Sequence, residues 1–188
     1  HETTESQGQA AHLECIAGEL RAPLINTLGA VAQTTRDGNA LRFGAAERFL
    51  FPRTIRVEHA LEPGPTKARI LERLRLPIIL RPLFSHVGFG ARLVRTEREL
   101  EEAIATAPFS ELYAIEYHDC QSADGLYRRY RFACVDGQLS ANSLQIASQW
   151  NVHAKERETL GWFERGFDRE ETAFYDEPAT LLGADPAD

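Results

Sequence analysis

Two short runs in the middle of the chain alternate with a period of two residues. Leu112 to Tyr117 sets Tyr113, Ile115 and Tyr117 on one face of an extended strand, and Leu112, Ala114 and Glu116 on the other. Arg129 to Val135 alternates again: Tyr130, Phe132 and Cys134 face one way, Arg129 and Arg131 the other. Asp136-Gly137 then predicts a tight hairpin, with Gln138 to Ile146 as the returning strand.

Elsewhere the apolar spacing is helical. Leu13, Ile16, Ala17 and Leu20 predict a helix over 5–20, stopped by Pro23, and Pro23 to Asn26 reads as a short strand. A helix follows Thr34 to Asp37 and runs to about Leu50, and a strand covers 51–57 with Pro52 near its start. Pro65 suits a first helical position ahead of the Ile70, Leu71 and Leu74 stripe, which Pro77 closes. Ile78 to Leu80 is a strand running into Arg81-Pro82 and a loop over 84–90; Ala91 to Arg95 is the next strand. Thr96 and Glu99 form a capping box for the helix of Leu100, Ala103, Ile104 and Ala107. Beyond the hairpin, Trp150 to His153 is extended, Glu158 to Phe174 is helical, and Pro178 and Pro186 break the tail. Residues 36–117 therefore read helix, strand, helix, strand, loop, strand, helix, strand. A meander follows, and two lobes meet near residue 118.

At 188 residues the chain holds one domain or two small lobes with a real core. The net charge of −7 is concentrated: residues 164–188 carry eight acids and two bases, so the rest is near neutral. An acidic total argues against a general nucleic-acid coat, and the acids of 164–188 read as a solvated face rather than as metal ligands. Cys15, Cys120 and Cys134 are odd in number and far apart, with no CxxC, so neither a disulfide framework nor a zinc knuckle is expected and a reducing, cytoplasmic setting is. No apolar run is long enough to span a bilayer. The chain begins at His1 and holds no methionine, which predicts a piece of a longer protein.

Candidate chemistry falls at several places along the chain. Two arginines at i and i+2 on one strand face, Arg129 and Arg131, suit a polyanion, or else form the wet face of an antiparallel sheet. Arg81 sits at a strand end ahead of Ser85, His86, Gly88 and Gly90, an order that can close over phosphates, though strand-loop-strand turns are glycine-rich anyway. Glu116 and Tyr117 end the last strand before the lobe junction, a favoured place for ligands. His118-Asp119-Cys120 reads as a junction loop, because neighbours on a strand point to opposite faces. Tyr127 to Arg131 is basic with interleaved aromatics, but one such strand in an acidic chain argues against RNA. Trp150 and His153 read as core packing.

The order of these features, with Ser122-Ala-Asp-Gly-Leu-Tyr-Arg-Arg-Tyr-Arg131, Val135-Asp-Gly137 and Trp150-Asn-Val-His153, resembles the ATP-grasp superfamily. The likeness is to a bacterial branch often joined to tetratricopeptide repeats. It extends back through Pro23 to Asn26, Thr35-Arg36 and Phe51 to Thr54, and forward to Phe174 to Pro178 and Leu182-Gly183. The resemblance implies an α+β, ATP-grasp fold: the end of a preceding α/β region over 1–35, a small α/β lid lobe over 36–117, and over 118–188 the antiparallel meander of an incomplete second lobe. It implies ATP and Mg2+ as cofactors, and a carboxylate–amine (or thiol) ligase-like reaction through an acyl phosphate.

Residue by residue, the resemblance places Arg81 where most such enzymes put the lysine on the α- and β-phosphates, this branch using arginine. His86, Gly88 and Gly90 fall in the phosphate lid, and Glu116 and Tyr117 at the linker that meets adenine and ribose. Arg129 and Arg131 fall near the phosphates or the acyl substrate as the catalytic pair, with Arg36 and Arg53 adding positive charge. Phe84, Val87 and Phe89 replace two glycines and a lysine of the usual GSHGGKG lid, and Asn142 to Ser148 departs from the branch's Tyr-His-Leu-Ala-Ile-Ser segment. The magnesium-binding Glu-x-Asn is expected beyond residue 188, which makes this stretch inactive alone. The alternative is a non-catalytic nucleotide-binding or interaction module on the same fold.

Overall fold

A computed structural model describes residues 4–22, 26–47, 49–58, 63–83, 85, 88–108, 111–153 and 156–181. The expected strand at Pro23 to Ile25, the lid residues Phe84, His86 and Val87, and the tail from Leu182 with Pro186 lie outside them. Asn26 is described, and its φ of 64° is left-handed rather than extended.

The chain falls into two compact units, His1–His118 and Asp119–Asp188. In the first, α1 (Thr4–Glu19) and the short α2 (Leu28–Ala32) precede α3 (Arg36–Phe43), β1 (Thr54–Glu58), α4 (Pro63–Arg73), β2 (Ile78–Pro82), β3 (Arg92–Val94), α5 (Glu97–Ala105) and β4 (Glu111–Glu116). The four strands form one sheet in the order β1-β4-β2-β3, every pair antiparallel. Alternation does the sorting. Val57, Leu112, Ala114, Ile78, Leu80 and Val94 point to one face, where Ile70 and Leu74 at α4 and Leu100 and Ile104 of α5 complete a dry core. Lys67 of α4 ties the two helices together, 3.2 Å from Glu101 and 3.8 Å from Glu97. The opposite face carries Arg56, Tyr113 and Arg81 in one cross-strand row, Tyr113 being the register partner of both arginines.

Caps fix the helix starts. Thr35 Oγ1 accepts the Gly38 N–H at 3.2 Å and Thr96 Oγ1 the Glu99 N–H at 3.2 Å. The Glu99 carboxylate reaches back to the Arg95 N–H at 2.7 Å, one residue earlier than a regular capping box would take it. The helix expected to run to Leu50 ends at Phe43. Gly44 caps it, and Phe43 turns toward Phe49 and Phe51, with ring centroids 6.1 and 5.7 Å away. Apolar residues there serve an aromatic cluster, not a helical stripe. Helix α4 starts at Pro63, two residues ahead of Pro65; both prolines fit because first-turn N–H groups need no helical partner.

The second unit is a hairpin, β5 (Tyr127–Val135) and β6 (Gln138–Ala147), with α6 (Phe167–Asp176) and the short α7 (Pro178–Leu181). Asp136 and Gly137 take φ of 50° and 75°, as a primed two-residue turn requires. The register steps between Arg131 and Phe132, where Asn142 is bulged out. Tyr130, Phe132, Leu144 and Ile146 meet Phe174, Phe167, Trp162 and Leu126 in a second core. Phe174 is fully buried, edge-on to Tyr130 and Phe132, both at 5.2 Å.

Two expectations fail here. Residues 157–166 are turns, and the helix begins only after Gly166 at φ 74°, because Gly161 and Gly166 both take left-handed backbone. Pro178 opens α7 instead of breaking the chain, as its fixed φ suits a first helical position.

Candidate functional site

In the first unit, β2 carries Arg81 to the sheet face away from α4 and α5. Its Nε and Nη2 donate to Ser85 Oγ at 3.1 and 2.9 Å, and Nη2 also donates to the Ser85 carbonyl; Ser85 Oγ in turn donates to the Pro82 carbonyl at 2.9 Å. Burial, and next the positive charge of Arg36, push the Arg81 guanidinium below its usual basicity, while Tyr113 works the other way. It stays charged at neutral pH. No carboxylate pairs with Arg81 or Arg36 among the described residues.

The neighbouring arginines differ. Arg56 Nε donates to Glu111 Oε1 at 2.9 Å, and Arg53 meets Glu116 through its backbone N–H at 3.2 Å and Nη2 at 3.4 Å. Glu116 is also 3.4 Å from His118 Nε2. Burial pushes the Glu116 carboxyl up, but the Arg53 N–H and side chain and the His118 contact outweigh it, so its pKa falls. Register places Glu116 opposite the core residue Ile78, on the face away from Arg81; Tyr117, one residue on, continues from the strand with its N–H 3.4 Å from the Pro77 carbonyl. Gly88 and Gly90 take φ of 69° and 68° in the turn after β2, which a side chain would strain. His86 lies outside the described residues. Phe89, between the two glycines, is 67 % exposed.

In the second unit, the three consecutive-face arginines of β5 sort by parity. Arg128 shares the face of Tyr130 and is enclosed by carboxylates: Asp124 at 3.0 and 2.8 Å, Glu170 of α6 at 2.6 and 3.1 Å. Tyr130 Oη donates to the same Glu170 at 2.8 Å. The Arg128 hydrogen bond holds the Asp124 carboxyl down to about 2, and Arg128 itself is pushed up. Burial, then Glu170, push the Tyr130 phenol up to about 12. Glu171 is taken by Arg157 at 2.7 and 2.8 Å. Thus two acids of the expected solvated face, Glu170 and Glu171, are ion-paired, because α6 packs that part of the tail onto the hairpin.

Arg129 and Arg131 occupy the other face. Burial and the charge of Arg131 lower the basicity of Arg129. Its Nη2 donates to Gln145 Oε1, its Nε is buried with no hydrogen-bond partner among the described residues, and Arg131 is exposed. Sequence reasoning missed the partners Ser85, Gln145, Asp124 and Glu170. The Asp124–Arg128 spacing of four was a legible signal; the others depend on register and tertiary packing.

An apolar cavity of about 220 Å3 lies on the opposite side of the first sheet, lined by Leu80, Pro82, Leu112, Ala103, Phe89 and Arg92; Arg81, Arg36, Arg129 and Arg131 do not line it. Among the described residues no group of three or more His, Cys, Asp or Glu could hold a metal ion. No described helix is long and apolar enough to cross a membrane.

No family model and no curated protein matches the chain. Solved structures do. The chain is similar to carboxyaminoimidazole ribonucleotide synthase from Aspergillus clavatus, determined with ATP, at TM-score 0.50 and 17 % identity over 76 % of this chain and 35 % of that one. A weaker likeness is to D-alanine–D-alanine ligase from Helicobacter pylori, at TM-score 0.42 and 13 % identity over 62 % and 34 %. The chain spans about a third of the length of these proteins. Its fold is α+β, of the ATP-grasp type.

Proposed function

We propose that the chain is the ATP-binding part of an ATP-grasp ligase-like protein. One observation carries the reading. In the first unit Arg53 and Arg56 each take a carboxylate, whereas Arg81 is held only by the neutral oxygens of Ser85 and stands within the field of Arg36. Two cations kept close, one of them half-buried, are what an oligophosphate neutralises. Gly88 and Gly90 let backbone N–H groups approach such an anion, with His86 two residues before Gly88 in the sequence. Glu116 and Tyr117, at the end of β4, are proposed to meet the nucleoside, Glu116 being held by Arg53.

The reaction class is that of a carboxylate–amine or thiol ligase. A carboxylate oxygen attacks the γ-phosphorus of ATP and ADP leaves; the amine or thiol then attacks the acyl carbon, loses its proton and expels phosphate. Arg129 and Arg131 would stabilise the charge that develops on the transferred group, since fixed cations act most strongly where charge appears. Magnesium, when bound, would neutralise the phosphates in such a reaction.

Calorimetric titration with Mg-ATP tests the proposal. Arg81→Ala should weaken binding about tenfold or more, the usual worth of a charged hydrogen-bond donor. No binding at millimolar Mg-ATP, or an unchanged affinity in Arg81→Ala, would overturn it. The exposed Phe89 in the turn favours a second reading, a nucleotide-binding module without catalysis; Arg81-dependent binding with no ADP formed in the presence of carboxylates and amines would select it.

A further inference from the structure

Under helix α5 the first core is filled by Leu100 and Ile104, but toward its C-terminal end the inward residues are small. Ala103, and Ala107 just past the helix, leave a wedge above Leu80, Pro82 and Leu112, which is the apolar cavity of about 220 Å3. An apolar cavity of about 150 Å3 takes up benzene, so this one has room for an aromatic ring with a short arm. Its lining also includes two side chains that reach solvent. Phe89 is 67 % exposed. Arg92 is the register partner of Leu80, so its side chain leaves β3 on the cavity's side of the sheet. Arg92 Nη1 donates to Thr106 Oγ1 at 3.0 Å, which holds the guanidinium against the end of α5. Thr106 is neutral, and the nearby acids of α5 and β4 are engaged elsewhere. Glu97 and Glu101 face Lys67, Glu99 takes the Arg95 N–H, Glu102 pairs with Arg98 and Glu111 with Arg56. Among the described residues no carboxylate pairs with Arg92.

We propose that this cavity binds a small arylalkyl carboxylate, with its ring between the two alanines and the leucines and its carboxylate on Arg92. Apolar walls supply affinity, and one fixed cation supplies orientation. Because Nη1 is held by Thr106, the Nε–Nη2 edge of the guanidinium is left to fork onto the two carboxylate oxygens. A phosphate would bring a second charge against apolar walls with nothing there to pair it. An aromatic ring, unlike an alkyl chain, can also pack edge-on against Phe89. The cavity lies on the sheet face away from Arg81, so its ligand is not the carboxylate proposed to take the phosphoryl group. The inference does not rest on nucleotide binding.

The test is an NMR titration of the full 15N,13C-labelled chain with phenylacetate, and in parallel with phenylacetamide and with acetate. The signals read are the Arg92 Nε–Hε and the methyls of Leu80, Leu112 and Ala103. Arg92→Gln alters an exposed side chain, assigns the Nε signal and removes the charge. Phenylacetate should move these signals saturably at millimolar concentration. Phenylacetamide keeps the ring without the charge and acetate the charge without the ring, so each should bind about tenfold more weakly. Arg92→Gln should weaken phenylacetate about tenfold and leave phenylacetamide unchanged, while Ala107→Leu, which fills the cavity, should abolish both responses. If Ala107→Leu fails to fold, the Arg92→Gln contrast still decides. No saturable shift with millimolar phenylacetate, phenylacetamide binding as tight as phenylacetate, or a phenylacetate affinity unaltered in Arg92→Gln or in folded Ala107→Leu would each overturn the proposal. Arg81→Ala should leave this titration intact. A phenylacetate response without Mg-ATP binding defeats only the nucleotide reading; Arg81-dependent Mg-ATP binding with no phenylacetate response defeats only this one.

Discussion

Arginines with the same intrinsic chemistry divide here by what they touch. Arg128 lies between Asp124 and Glu170 with its side chain 17 % exposed, and it also sits over the Phe167 ring at 6.0 Å. Arg128→Ala leaves Glu170 half-buried without its cation and should destabilise the second unit by about 2 kcal/mol, the range of hydrogen bonds to charged groups, measurable by urea unfolding. Linkage gives this cluster a pH signature. The folded pKa of Asp124, about 2, lies below its ordinary 3.8, so its contribution is complete above about pH 4 and is lost as pH falls toward 2. The stability difference between the native chain and Asp124→Asn should therefore shrink over that window and stay constant from pH 5 to 7. A gap that held steady down to pH 2 would count against the ion pair. Arg81 behaves oppositely: it bonds only neutral oxygens, so Arg81→Ala should cost little stability while lowering anion affinity.

Among the elements, helix α5 and the β5–β6 hairpin depend most visibly on single residues. Thr96 caps α5 through the Glu99 N–H, and Thr96→Ala should cost about 1 kcal/mol by chemical denaturation, the usual worth of a side-chain N-cap. Gly137 meets no atom that a Cβ would strike, so Gly137→Ala isolates the backbone effect of its φ of 75°, expected at about 1 kcal/mol. These elements were legible because their signals are local: a capping pair, a turn dipeptide, a clean alternation. The helix placed to Leu50 and the one placed from Glu158 were misjudged for a shared reason. Apolar residues at helical spacing also serve aromatic clusters and packed turns, as Phe43, Phe49 and Phe51 do, and Trp162 with Phe167 at 5.6 Å.

For the whole molecule, a net charge of −7 disfavours polyanions at long range, so any anion must be won by short-range contacts at the arginines with no carboxylate partner. Millimolar Mg-ATP should raise Tm by mass action, GTP should raise it less, and Arg81→Ala should remove the rise. An equal shift with sodium sulfate would reduce the effect to general anion binding.

The sequence alone determined what depends on neighbours along the chain. It gave the alternation that separates Arg129 and Arg131 from Tyr130 and Phe132, the helix cap at Thr96, the Asp136-Gly137 turn, and the element order of an ATP-grasp fold. Arg128 already shared the parity of Tyr130, which pointed it toward the core. Tertiary structure decided which charges are neutralised, because Glu170 comes from 42 residues away, Glu111 reaches Arg56 across 55 and Glu116 reaches Arg53 across 63. Compensation of a charge is a property of space rather than of sequence, and it is that compensation which separates Arg53, Arg56 and Arg128 from Arg81, Arg129 and Arg131.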